Sequence, residues 1–165
     1  MSRKATFALF VPIVILMVIV DRLTKAWAAD NLSFDSVGSD YGLVDIMLVH
    51  NRGAAFGLGQ GNGWIFILIT VLICAFAVAW LALGKEHHPP EVIGLALVVS
   101  GGIGNLIDRV STVYVVDFLH FTFIDFPVFN VADICVTCGV VLFIVSFLFM
   151  SFRSSDSAAS KDGGE

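Results

Sequence analysis

Four stretches of this chain are apolar for long enough to cross a lipid bilayer, and nothing else in the sequence narrows the fold as far. A helix needs about 20 consecutive, mostly apolar residues to span the hydrocarbon core. Runs of that kind fall at about 6–27, 64–83, 92–108 and 131–152. Lipid offers no partner to a bare amide or carbonyl, so each run must be helical. The rest of the composition agrees: 58 % of the 165 residues are hydrophobic and the mean hydropathy is +0.92, too apolar for a water-soluble domain of this length. The expected fold is an all-α membrane protein, a single domain of four transmembrane helices over residues 1–153. Residues 154–165, rich in Ser, Ala, Asp and Gly, read as a disordered cytoplasmic tail.

Orientation follows from the basic residues near the helix ends. Arg3, Lys4, Lys85, Arg153 and Lys161 share one side if both termini are cytoplasmic, while the first outer loop holds only Arg52. A cleaved leader is the competing reading of the first run, since Ala26-Trp27-Ala28 imitates a cleavage site. Asp21, Arg22, Thr24 and Lys25 interrupt the run just before that point, which favours an uncleaved helix. The long first outer connection, 28–63, alternates apolar and polar residues around 43–50 and then turns glycine-rich, a pattern for short strands forming a small surface sheet. In the third run Gly94, Gly101, Gly102 and Gly104 allow close approach of neighbouring helices.

Two aspartates stand out against this background. Asp117 lies in Val115-Val116-Asp117-Phe118 and Asp133 in Phe129-Asn130-Val131-Ala132-Asp133, where an ionised carboxylate is costly. Neither has a basic residue within helical reach, and the simplest partner of each is the other. Two carboxylates sharing one proton can activate water against an amide bond without a metal. Helical spacing gathers further polar groups at the same depth: Asp21 with Lys25, Asn105 with Asp108 and Arg109, and Asn130 with Asp133. Charge pairing of Asp21 with Lys25, and of Asp108 with Arg109, is the plain structural alternative for those four residues.

Other features carry less. The −5 net charge and the scattered Lys and Arg argue against nucleic acid as a partner. Cys135 and Cys138 imitate a redox or metal motif, but on a lipid-buried helix without further Cys or His they read as packing. His87 and His88 fall in a short polar turn expected to be solvated, with no third metal ligand beside them. No cofactor or metal is expected.

Five motifs, in order, closely resemble those of the lipoprotein signal peptidases, also called signal peptidase II: Asp21-Arg22-Leu23-Thr24-Lys25, Asn51-Arg52-Gly53-Ala54-Ala55-Phe56-Gly57, Gly101-Gly102-Ile103-Gly104-Asn105-Leu106-Ile107-Asp108-Arg109, Val115-Val116-Asp117-Phe118 and Phe129-Asn130-Val131-Ala132-Asp133. The resemblance implies an intramembrane aspartic endopeptidase of the bacterial cytoplasmic (inner) membrane that removes signal peptides from prolipoproteins, cleaving before the lipid-modified cysteine. It implies Asp117 and Asp133 as the catalytic dyad, with Asp21, Lys25, Asn51, Gly53, Asn105, Asp108, Arg109 and Asn130 binding substrate or supporting the site. It lends the outer sheet, or cradle, between the first two helices and a short outer interfacial helix before the fourth. The implied partners are lipid-modified precursors and membrane lipids, and a monomer suffices because one bundle supplies every motif. A transporter or proton relay would spread its ionisable groups through the membrane. Here they stop near one face, and the second run has none.

Overall fold

The computed structural model describes residues 1–33, 42–53, 63–84 and 86–162. Four helices occupy the four apolar runs: α1 (Arg3–Asn31), α2 (Gly63–Leu83), α3 (Pro89–Ser111) and α4 (Val131–Asp162). All four are long and apolar enough to cross a membrane, and in α4 the membrane-length portion ends at Arg153. The backbone of α4 nevertheless stays helical to Asp162. Composition predicts a disordered tail from residue 154, but a helix already nucleated propagates cheaply through Ser, Ala and Lys. The glycine-rich residues 54–62, part of the first outer connection at 34–41, and Lys85 lie outside the described residues.

The third helix is the centre of the bundle. In its most apolar window 56 % of residues are buried inside the protein, against 17 %, 11 % and 17 % in α1, α2 and α4. Small residues set that position, because van der Waals contact at short range replaces the hydrophobic effect between helices in lipid. A methyl group on Gly94 would sit 2.8 Å from the Gly139 carbonyl oxygen, and one on Gly139 would sit 2.6 Å from that of Gly94. Gly101 leaves no room for a side chain against the Ala132 carbonyl. Phe10, Ala77, Leu81, Val92, Leu95, Ala96 and Val99 fill the bundle on one side of these contacts.

At the other end a two-stranded antiparallel sheet closes the bundle. β1 (Val44–Asn51) comes from the expected connection between α1 and α2, and its partner β2 (Val115–Phe121) from the connection between α3 and α4. Ala28, Leu48, Val116 and Phe118 pack beneath it. Among the described residues no helix lies between α3 and α4, where a short interfacial helix is expected; β2 and an extended return occupy that connection. β-Branched and aromatic residues dominate 115–121 and favour an extended strand once β1 offers an open edge.

The pairing contains a bulge that matters for the site. Ile46 lies opposite Leu119 and Val49 opposite Asp117, three steps along β1 against two along β2. Side chains alternate between faces, so the extra residue moves Asn51, rather than His50, onto the face that carries Asp117. Beyond β2 the chain reverses: Leu119 and Phe129 exchange backbone hydrogen bonds at 2.8 and 2.9 Å. Rings of Phe121, Phe126 and Phe129 pack on one another at this turn. The reversal delivers the start of α4 beside the middle of β2.

The opposite end holds a surprise in the turn between α2 and α3. His87 is only 4 % exposed, where the sequence suggests a solvated loop. Pro89 and Pro90 open α3, and Glu91 accepts from the His88 amide at 3.3 Å as the third helical residue of a capping box. The same carboxylate accepts from the Trp80 indole at 2.5 Å and lies 3.2 Å from His87 Nδ1, which draws the ring inward.

Candidate active site

A buried ion cluster ties α1 to α3 below the sheet. Lys25 Nζ lies 3.1 Å from Asp21, the pairing that four-residue spacing predicts, and 2.9 Å from Asp108. Arg22 closes the set at 2.6 Å from Asp108. Two acids and two bases therefore neutralise one another, as membrane depth requires. Asp108 and Arg109 do not pair with each other: adjacent residues on a helix diverge, and Arg109 points elsewhere. Its guanidinium donates to the Gly53 carbonyl at 3.3 Å and to the Asn105 carbonyl at 3.4 Å, and lies 5.4 Å from the centre of the Phe66 ring.

The cluster does structural service beyond neutrality. The second oxygen of Asp21 accepts from the Ala132 amide at 3.1 Å, so a side chain of α1 satisfies one of the open amides at the start of α4. Asp108 accepts from the Val116 amide at 3.4 Å and holds the beginning of β2. Lys25 donates to Asn105 Oδ1 at 2.7 Å, which fixes the amide so that Nδ2 donates to Asp133 at 2.8 Å.

Asn130 is the hinge between the two aspartates. It stands just before α4 and forms a reciprocal cap with Asp133: its amide donates to the Asp133 carboxylate at 3.1 Å, and its Oδ1 accepts from the Asp133 amide at 3.0 Å. Its Nδ2 donates to Asp117 Oδ1 at 2.6 Å. The other Asp117 oxygen accepts from Asn51 Nδ2 at 2.9 Å, across the strand pair. Asn51 in turn accepts from the Gly53 amide at 3.0 Å, a turn that presents the Gly53 carbonyl to Arg109. Amides, not basic side chains, thus partner both acids.

Asp117 is 2 % exposed. Burial, and after it the charge of Asp133, raises its carboxyl from 3.8 to about 7, while the bonds from Asn51 and Asn130 pull the other way. Asp133 stands in the first turn of α4, at the positive end of the helix dipole. Both carboxylates line one cavity of about 330 Å³, together with Asn51, Asn105 and Arg109. Thr70, Gly102 and Thr137 are also in its walls, and sequence reasoning passed over the two threonines. Thr137 follows Asp133 by one turn, and Thr70 is the hydroxyl amid the apolar α2; those were the available signals. Asp21, Lys25 and Asp108 stand behind the cavity rather than in it.

Comparison with known proteins bears on this arrangement. A family model described as signal peptidase (SPase) II matches residues 13–149. Lipoprotein signal peptidases of Streptococcus pyogenes serotype M5 (strain Manfredo) and serotype M18 (strain MGAS8232) are each 40 % identical over 138 residues, 83 % of this chain and 91 % of theirs. Two solved structures described as a bacterial membrane enzyme are also similar. One, at 2.3 Å resolution, has a TM-score of 0.79 at 33 % identity and covers 86 % of this chain and 88 % of its own. The other, at 1.9 Å, has a TM-score of 0.76 at 32 % identity, with coverage of 84 % and 91 %.

Proposed function

The chain belongs to the signal peptidase II family, multi-pass aspartic peptidases of the inner membrane that process prolipoproteins, and on that premise we propose that Asp117 and Asp133 are its catalytic pair. The observation that carries the assignment is Asn130, which bonds both carboxylates where they share one cavity. Asp117, with its raised affinity for the proton, donates a hydrogen bond to the scissile carbonyl. Asp133 takes a proton from the attacking water. The water adds to the carbonyl carbon and Asp117 passes its proton to the developing oxyanion; the proton held by Asp133 then goes to the leaving amine as the C–N bond breaks, while one hydroxyl of the tetrahedral intermediate returns its proton to Asp117 and the carbonyl re-forms.

Supporting roles follow from position. Asn51 and Asn130 orient Asp117, and Asn105 orients Asp133 under the hold of Lys25. Arg109 lines the cavity where a peptide backbone would lie and offers it donors, held in place by its bond to the Gly53 carbonyl. Asp21 and Asp108 anchor α4 and β2. Cleavage falls before the lipid-modified cysteine, with the site near the outer face and both termini cytoplasmic. That depth keeps the diacylglyceryl anchor in lipid while water enters from outside. Residues 1–153 form one peptidase domain that acts as a monomer on its precursors within membrane lipid.

The test is cleavage of a lipid-modified precursor in detergent or liposomes by the native chain, Asp117→Asn and Asp133→Asn, with and without a chelator. The native enzyme retains its rate in chelator, whereas both variants insert, fold and fail to cleave. Near-normal turnover by either variant overturns the dyad.

A further inference from the structure

The deep part of the cavity that holds the aspartates carries two hydroxyls that the proposed chemistry does not use. Thr70 of α2 and Thr137 of α4 line it together with Gly102 of α3. Thr70 follows Gly63, the first residue of α2, by seven positions, and Thr137 follows Val131, the first of α4, by six. Gly102 precedes Arg109 by seven positions on α3. At the rise of an α-helix all three therefore lie roughly 10 Å further along the bundle than Arg109 and the starts of α2 and α4.

A Ser or Thr on a helix in lipid ordinarily satisfies its hydroxyl on a carbonyl about one turn back, as Thr24, Ser100 and Ser111 do at 2.9, 2.9 and 2.7 Å. Neither Thr70 nor Thr137 makes this bond or any other among the described residues. Thr137 is exposed, and Thr70 is half-buried with its oxygen left accessible. The methyl of Thr70 is what packs toward α3, since a side chain on Gly102 would meet it at 3.1 Å. An unmade hydroxyl at this depth is costly, and a valine of the same shape would avoid the cost. Yet Thr70 is the one hydroxyl of α2. Two free donors facing one cavity from α2 and α4 point to a partner that comes and goes.

The substrate supplies that partner. A signal peptide lies in the membrane as a helix, which shields its amide bonds, so the chain must unwind before a scissile bond can reach the aspartates. Where a helix ends, its last four carbonyls lose their partners. That end is on the N-terminal side of the scissile bond and so lies deeper than the dyad, at the level of Thr70 and Thr137. We infer that these two threonines bind the substrate main chain, donating hydrogen bonds to the unpaired carbonyls at the C-terminal end of the signal helix. The inference rests on the reading of this cavity as the peptidase site. Hydroxyls suit the task because they satisfy a carbonyl in an apolar wall without bringing charge.

Thr70→Val and Thr137→Val keep the side-chain shape and remove the donor, whereas Thr70→Ser and Thr137→Ser keep the donor. With a lipid-modified precursor in detergent, each valine variant should raise KM roughly threefold to tenfold, the worth of one neutral hydrogen bond, and leave kcat unchanged. Serine at either position should restore the native KM. The cleaved signal peptide, added as an inhibitor, should bind the valine variants more weakly by the same factor, while the lipid-modified product inhibits native and variant chains alike. An unchanged KM in both valine variants, a loss that serine does not rescue, or a loss confined to kcat overturns the inference. So does weaker inhibition by the lipid-modified product in place of the signal peptide. Failure of the dyad reading shows separately, as turnover by Asp117→Asn.

Discussion

At the residue scale the site is governed by one carboxyl and the amides around it. Asp117 has its pKa lifted from 3.8 to about 7, first by burial and then by the neighbouring charge of Asp133. An acid whose folded pKa lies above its unfolded value contributes stability fully below about pH 4, and that contribution is lost as pH rises through about 7. Catalysis should carry the same sign, because the proton that polarises the carbonyl disappears over the same range. The rate constant for cleavage should therefore fall on an alkaline limb centred near pH 7, read from a pH–rate profile in liposomes. Replacing either aspartate by asparagine should lower the rate by about 10²–10⁴-fold, the usual worth of positioned acid–base groups. Asn130→Ala carries two losses, the α4 cap and the bridge between the acids. It should cost about 1 kcal/mol of stability and a further loss in rate, separable by thermal denaturation and cleavage assay.

At the scale of elements, helix separation and strand register place those residues. Gly94 and Gly139 sit in mutual backbone contact well away from the aspartates, whereas Gly101 abuts Ala132, next to Asp133. Gly94→Val should therefore lower thermal stability by about 1–3 kcal/mol through overpacking while sparing much of the activity. Gly101→Val should lose stability and cleavage together. Beyond the bulge, deleting His50 moves Asn51 opposite Val116 and turns it away from Asp117. The cleavage rate of that variant should drop to that of Asn51→Ala, and a rate above that level would refute the role of the strand register. This bulge also marks the limit of what the chain reveals by itself. Four helices were legible because membrane length is a local property, and Asp21 with Lys25 because four-residue spacing is local too. The contact of Lys25 with Asp108, the partnership of Asn51 with Asp117 and the strand assignment of Asp117 depend on segments far apart in sequence. His87 was missed for a related reason: its burial is imposed by Trp80 and Glu91 on two different helices.

For the whole molecule, the arrangement of charge predicts an orientation that can be measured. Basic residues gather at the end bearing Arg3, Lys4 and Arg153, and the sheet lies at the other end. Single cysteines at Thr122 and His88, both exposed, should report opposite sides. In intact spheroplasts a membrane-impermeant maleimide should label Thr122→Cys at once and His88→Cys only after lysis, and the reverse pattern would invert the topology. The two strands also impose an order on biogenesis. Asn51 and Asp117 are 66 positions apart, and β1 is synthesised before α2, α3 and β2 exist. Until the third helix has been inserted and β2 has followed it, β1 waits at the membrane surface with an unpaired edge. Asp133, on the last helix, arrives later still. With the proposed dyad, a ribosome-bound or truncated chain holds no working pair of acids, and proteolytic power is withheld until the enzyme has been wholly threaded into its membrane.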